Sequence, residues 1–289
     1  IINELWCARD EAKIHHNTAL SQAIKILMNS FYGVLGTPGC RFFDYRLPSS
    51  ITLRGHSILT QSRDFIEAQG YQVIYGDTDS IFVWLEGLPA NTTAKEVDTL
   101  GSDLAAKLNS WWTAKLRDEL QLESDLEIEF ETHFTRFVMP TIRGSDKGSK
   151  KRYAGLVESL TNTGSTLNLV FKGLETVRTD WTAVAREFQR ELYRRVFYNE
   201  PWQDYIREMV DEIRSGKRDD QLIYRKRIRR RLDDYQKNIP PQIQAARIAD
   251  EKRKADGKLS AYQRGGWIQY VMTLNGPEPA EHICSPLDY

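Results

Sequence analysis

Two short β-rich runs, Tyr71–Tyr75 and Ile81–Leu85, are separated only by Gly76-Asp77-Thr78-Asp79-Ser80. A tight Gly/Asp turn between two apolar runs dictates an antiparallel hairpin, because the chain must reverse direction within a few residues. Asp77 and Asp79 stand at i and i+2, so an extended backbone carries both carboxylates on one side. Acidic oxygens fixed on a rigid turn suit hard divalent cations such as Mg²⁺, which take carboxylate, water and phosphate oxygens. Such a site supports two-metal phosphoryl transfer. Asp-x-Asp is also ordinary turn chemistry, so its neighbours must decide.

Composition narrows the field. The chain has 289 residues, 40% hydrophobic and 28% charged, which is globular rather than disordered or membrane-spanning and long enough for one large domain or two ordinary ones. No apolar run approaches a bilayer span and no signal peptide opens the sequence. Cys7, Cys40 and Cys284 are far apart, which argues against a disulfide framework and for a cytosolic setting. None of the five histidines stands at zinc spacing with a cysteine. The net charge of zero hides an asymmetry: residues 1–148 carry 14 Lys+Arg against 20 Asp+Glu, and residues 149–289 carry 26 against 20. An acidic catalytic part and a basic, polyanion-gripping part fit that split, as do two solvated domains of opposite charge. The ends, Ile1-Ile2-Asn3 and Ser285 to Tyr289, read as those of a piece cut from something longer.

Along the chain, periodicity predicts a helix over about 18–36 capped by Thr18, a second from Ser49 or Ser50 to Gln69 ended by Gly70, a loop over 88–102, and a helix over 103–120. Glu127–Met139, Lys150–Glu158 and Leu167–Gly173 alternate like strands. From Asp180 onward the pattern is helical and highly charged, and His15-His16 reads as an exposed linker.

On the first helix, Gln22, Lys25, Asn29 and Tyr32 form one polar stripe at about 100° per residue. A cation, an amide and a phenol in a row suit a ligand with a phosphate tail, a sugar and a base, although a solvated amphipathic face has the same pattern. Tyr75 to Ser80, YGDTDS, resembles the C motif of family B DNA polymerases. Lys25 to Gly33 resembles that family's B motif, KxxxNSxYG. Lys150-Lys151-Arg152-Tyr153 resembles its KKRY motif, and Lys172-Gly173-Leu174-Glu175-Thr176 resembles the segment leading into the thumb. All four stand in the family's order. The stretches Thr141 to Gly144 and Thr176 to Trp181 look most like the family's bacterial branch.

The resemblance implies an α+β fold: a palm-like antiparallel sheet with flanking helices, then a mainly helical thumb-like domain. Its expected parts are the end of a fingers helix (1–40), a palm with the YGDTDS hairpin (41–175) and a thumb (176–289). It implies that Lys25 binds an incoming nucleotide's triphosphate, that Asn29 assists, and that Tyr32 backs the nascent base pair. Asp79 is then the direct metal ligand with Asp77 beside it, and Lys150, Lys151, Arg152 and Tyr153 contact duplex from the minor-groove side, where base-pair identity is degenerate. Two Mg²⁺ ions, primer–template DNA and a deoxynucleoside triphosphate are the implied cofactors and partners. A clamp-binding peptide, where the parent has one, lies beyond Tyr289. The implied setting is the bacterial cytoplasm, at the nucleoid.

Glu127, Glu129 and Glu131 share a strand face and read as strand patterning. Arg225, Lys226, Arg227, Arg229, Arg230 and Arg231 put six cations into seven positions; in a thumb they read as phosphate contacts, each neutralised phosphate steepening salt dependence by about 0.9 in log–log slope. Arg264-Gly265-Gly266 adds weaker backbone contacts. Trp84, Trp111, Trp112, Trp181, Trp202 and Trp267 read as core. Nothing before Lys25 resembles the family's A motif, which supplies a second essential aspartate. The expectation is therefore a catalytic parent and a piece that alone synthesises little or nothing. A non-catalytic nucleic-acid-binding module and a metal-dependent nuclease are the alternatives.

Overall fold

A computed structural model describes residues 1–89, 92–141, 144, 148–149, 151–161, 164–262 and 265–282. It divides into two compact units, Ile1–Phe130 and Glu131–Tyr289.

The first unit runs α1 (Ile2–Ile14), α2 (Thr18–Leu35), α3 (Arg46–Ala68), β1 (Gln72–Asp77), β2 (Ser80–Trp84) and α4 (Ala94–Leu120). The stretch before His15 is a helix rather than a linker, and His15-His16 is the turn that follows it, with His16 at φ 52°. α2 is capped one residue before Thr18, by the Asn17 side chain accepting from the Leu20 N–H at 3.1 Å. α4 starts well before residue 103. Thr93 accepts from the Glu96 N–H and Glu96 accepts from the Thr93 N–H, a reciprocal box that satisfies two orphan amides.

Beyond α4, residues 126–130 alternate as expected, with Leu126, Ile128 and Phe130 half-buried and the glutamates between them exposed. They form no strand ladder. Instead the Asn109 amide of α4 donates to the Ile128 carbonyl at 2.8 Å and accepts from its N–H at 2.9 Å, replacing a partner strand with one side chain. Glu127, Glu129 and Glu131 are exposed. Gly101 lets the segment pass: a Cβ there would lie 2.3 Å from the Phe130 ring.

This unit's core is Ile66, Leu108 and Trp112, with Val73, Ile81, Val83, Leu126 and Ile128 packed against it. The Trp112 indole N–H donates to the Ser62 hydroxyl at 2.8 Å, fixing α4 to α3. Both residues are almost fully buried.

The second unit holds two three-stranded antiparallel sheets. The first has the order β3 (Phe134–Val138), β4 (Tyr153–Thr161), β5 (Gly164–Lys172). Next come a 3₁₀ turn at Glu175–Val177, α5 (Ala183–Phe197) and α6 (Gln203–Arg214). The second sheet joins β6 (Tyr224–Arg227), β7 (Trp267–Thr273) and β8 (Gly276–Pro279) in that order, with α7 (Pro241–Ala255) inserted after β6. The region after Asp180 is mainly helical but contains this sheet, which the charged pattern conceals. Its core joins Ile228, Ile243, Ala246, Ala249, Ile268 and Tyr270.

Ser62→Ala removes the one hydrogen-bond acceptor that the buried Trp112 N–H has among the described residues. Leaving that donor unpaired costs about 1–3 kcal/mol, which lowers the midpoint of the tryptophan-fluorescence unfolding transition in urea.

Candidate catalytic hairpin and nucleic-acid surface

In the hairpin, Asp77 pairs with Ser80 and leaves Thr78 and Asp79 as the two turn residues. Thr78 adopts φ 56°, an uncommon conformation for a β-branched residue that tight two-residue turns require. The Asp79 N–H donates to the Asp77 carbonyl at 2.6 Å. The hydroxyl of Thr78 donates to Asp77 Oδ1 at 3.1 Å, and that of Ser80 donates to Asp79 Oδ1 at 3.3 Å. Each carboxylate is thus oriented by the hydroxyl next to it in sequence. Asp79 is exposed at the tip and Asp77 half-buried.

The donors are all oxygen, which matches Mg²⁺ in kind. Among the described residues no three His, Cys, Asp or Glu side chains gather around one point, so the pair fits an ion that takes its remaining oxygens from substrate, water or another segment.

α3 connects the hairpin to the polar stripe of α2. Thr52 donates to the Pro48 carbonyl at 2.8 Å, so the Tyr32 hydroxyl donates to Thr52 at 3.0 Å. Leu59 lies against Gly76, where a Cβ would come within 3.4 Å of its Cδ2. Thr52 and Leu59 are seven residues apart, on one side of α3 and about 10 Å apart along its axis. One helix face therefore sets the spacing between Tyr32 and the carboxylate turn. Lys25 and Asn29 are exposed on α2.

In the second unit, two stretches quoted from the sequence form one structure. Tyr153 pairs with Lys172 and Ala154 with Phe171 across β4 and β5. Gly173, at φ 61°, meets the backbone before β4 so closely that a Cβ would lie 2.0 Å from the Lys151 carbonyl oxygen. The Arg152 guanidinium pairs with Glu175, whose other oxygen accepts from the Gln189 amide at 2.7 Å. Arg152 is thus committed to an internal bond, while Tyr153 packs its ring on Phe134 and Phe137. Lys151 is exposed. Lys150, Ile142, Arg143, Arg264 and Cys284 lie outside the described residues.

The basic run is a strand and a loop rather than a helix. Along it Arg225, Arg227, Arg229, Arg230 and Arg231 are exposed, Lys226 is half-buried and Ile228 is fully buried. Cross-strand pairing sets Arg225 opposite Gln269 and Arg227 opposite Trp267. The Arg225 guanidinium lies over the Trp267 ring at 4.9 Å. Arg231 is within 3.9 Å of Asp233; Arg225, Arg227, Arg229 and Arg230 form no ion pair among the described residues. Trp267, read from sequence as core, is 48% exposed and belongs to this cationic face. Trp84, Trp181 and Trp202 are also exposed, whereas Trp112 is the buried one. The signal that finds Trp267 is its alternation with the buried Ile268 and Tyr270.

Burial acts to raise the Glu175 pKa, but the bonds from Gln189, its own backbone and Arg152 together hold it below the ordinary 4.5. A carboxylate depressed on folding stabilises above its ordinary pKa, and that contribution is lost as pH falls through the folded value. Glu175→Gln therefore lowers stability near neutral pH by about 1–3 kcal/mol and flattens its decline below about pH 4.5, as read in urea titrations across that range.

The model of DNA polymerase family B matches residues 3–286. The chain is 56% identical over its whole length to DNA polymerase II of Escherichia coli, of which it covers 36%. It is 30% identical to the DNA polymerase of Archaeoglobus fulgidus over 68% of this chain and 21% of that one. Among solved structures, the family B DNA polymerase of Pyrobaculum calidifontis aligns with 98% of this chain and 34% of that one, at 21% identity and a TM-score of 0.48. The chain spans only about a third of the length of the bacterial relative. With a family match that runs through both units and contains the hairpin and the paired strands described above, the chain belongs to DNA polymerase family B.

Proposed function

We propose that this chain is the catalytic hairpin and DNA-gripping part of a template-directed DNA polymerase, which joins a deoxynucleoside triphosphate to a primer 3′-hydroxyl. The observation that carries the reading is the single face of α3 that spaces Tyr32 from the Asp77–Asp79 turn. In this reaction the 3′-oxygen forms a bond to the α-phosphorus and the bond to pyrophosphate breaks. Protein residues mainly position groups and neutralise charge.

Asp79 would hold the divalent cation directly, with Asp77 beside it; Mg²⁺, when bound, supplies a more acidic 3′-hydroxyl and neutralises the phosphates. Lys25 meets the triphosphate as a mobile point charge, which suits a leaving pyrophosphate. Asn29 assists, and Tyr32, held by Thr52, backs the new base pair. The KKRY resemblance assigns Lys150, Lys151 and Tyr153 to duplex contact, with Arg152 bracing that strand through Glu175. The exposed arginines of the β6 region contact duplex phosphates. We assign the fingers end to residues 1–40, the palm to 41–175 and the thumb to 176–289. The missing carboxylate falls to the remainder of the parent, as does any clamp-binding segment. The parent would work in the bacterial cytoplasm, at the nucleoid; no described helix is long and apolar enough to cross a membrane.

The test is primer extension at low salt with Mg²⁺ by three proteins: this chain, a fusion restoring an upstream A motif, and that fusion carrying Asp79→Asn. The expected outcome is extension by the fusion alone, with Asp79→Asn reducing it by at least about a hundredfold. A fusion that binds junctions yet never extends them would return the hairpin to a binding role. Separately, Arg229→Ala with Arg230→Ala should lower the log–log salt slope of duplex binding by about 2, roughly one per lost phosphate.

A further inference from the structure

A recess in the basic unit shares Arg225 and Trp267 with the cationic face, while its other walls have no role above. It has a volume of about 390 Å³, and its walls include Thr179, Trp181, Arg186, Ile223, Arg225 and Trp267. That is within the size range of small-molecule sites. Its two indoles are 36% and 48% exposed, an unusual amount of aromatic surface to leave in water. Its two guanidiniums form no ion pair among the described residues, and Arg186 Nε is buried without any hydrogen-bond partner. Arg225 is stacked on Trp267 at 4.9 Å, which holds the guanidinium plane while leaving its edge donors available. The neighbouring carboxylate, Asp180, is already held by Arg178 at 2.7 Å.

We infer that this recess binds one unpaired nucleotide, its base against an indole and its phosphate on Arg186 and Arg225. Flat aromatic surface beside unpaired guanidinium is the combination that takes single-stranded nucleic acid without regard to sequence. Duplex phosphates alone would need the cations but no indole. The inference extends the nucleic-acid reading of the basic face, yet it rests on separate residues, Trp181 and Arg186. The ligand is a nucleoside phosphate, presented either by a single strand or as a free nucleotide.

Binding of a labelled short oligothymidylate and of a labelled blunt duplex, read by fluorescence anisotropy with this chain, tests it. Trp181→Leu and Arg186→Met should each weaken the single strand at least about fivefold and leave duplex affinity within about twofold, whereas Trp181→Phe retains most single-strand binding. Thermal melts identify any variant that has lost its fold. Equal loss for strand and duplex, or no loss for either, overturns the inference. Where the variants do weaken the strand, displacement by thymidine monophosphate names the free nucleotide as a ligand, and no displacement names the strand. Oligonucleotide binding needs no catalysis, so it can succeed where primer extension fails, and the reverse.

Discussion

One buried hydrogen bond, from the Trp112 indole to the Ser62 hydroxyl, ties α3 to α4 within the apolar core of Ile66, Leu108 and Trp112. Everything proposed for the first unit is measured from that helix. Thr52 receives Tyr32, Leu59 supports Gly76, and Ile66 joins the core that carries both hairpin strands. An apolar contact at position 62 would fill the same space but leave the indole donor unsatisfied. The polar bond fixes both the rotation and the height of α3 against α4, and the two-turn spacing of Thr52 and Leu59 passes that position to the site.

The second unit uses a different device for a similar end. Gly173 lets two backbones approach more closely than any side chain allows, and the Arg152–Glu175–Gln189 chain locks the result. A basic tetrapeptide that reads as four equal contacts is thereby differentiated. Its arginine faces inward to a carboxylate, its tyrosine packs on two phenylalanines, and Lys151 stays exposed. Recognition residues next to a bracing residue are held at lower entropic cost than four solvated side chains would be.

Legibility in the sequence followed the range of the interactions. The hairpin was readable because its turn chemistry is local: Gly, Asp and Ser between two apolar runs. The first turns of α4 were readable in principle, since Thr93 and Glu96 stand at capping-box spacing, but the interior Gly101 and the polar residues around it resemble a loop. Glu127 to Phe130 alternates correctly, yet the sequence could not say that Asn109, nineteen residues away, takes the place of a neighbouring strand. β6 was hidden altogether. Tyr-Arg-Lys-Arg has no apolar alternation of its own, and its partner β7 begins forty residues later. For the same reason Trp267 looked like core. The charged residues of the proposed site were visible as motifs, while their division into exposed and committed ones needed tertiary partners.

The pleat of β6 has a bearing on how this segment can change over generations. Arg225 and Arg227 point outward between the half-buried Tyr224 and Lys226, and the buried Ile228 follows directly after the strand. Exchanging one arginine for lysine leaves that alternation intact. Losing or gaining a single residue inverts it, driving guanidiniums into an apolar core and setting isoleucine in water. Drift here should therefore run through substitution, with insertions and deletions confined to the loops on either side.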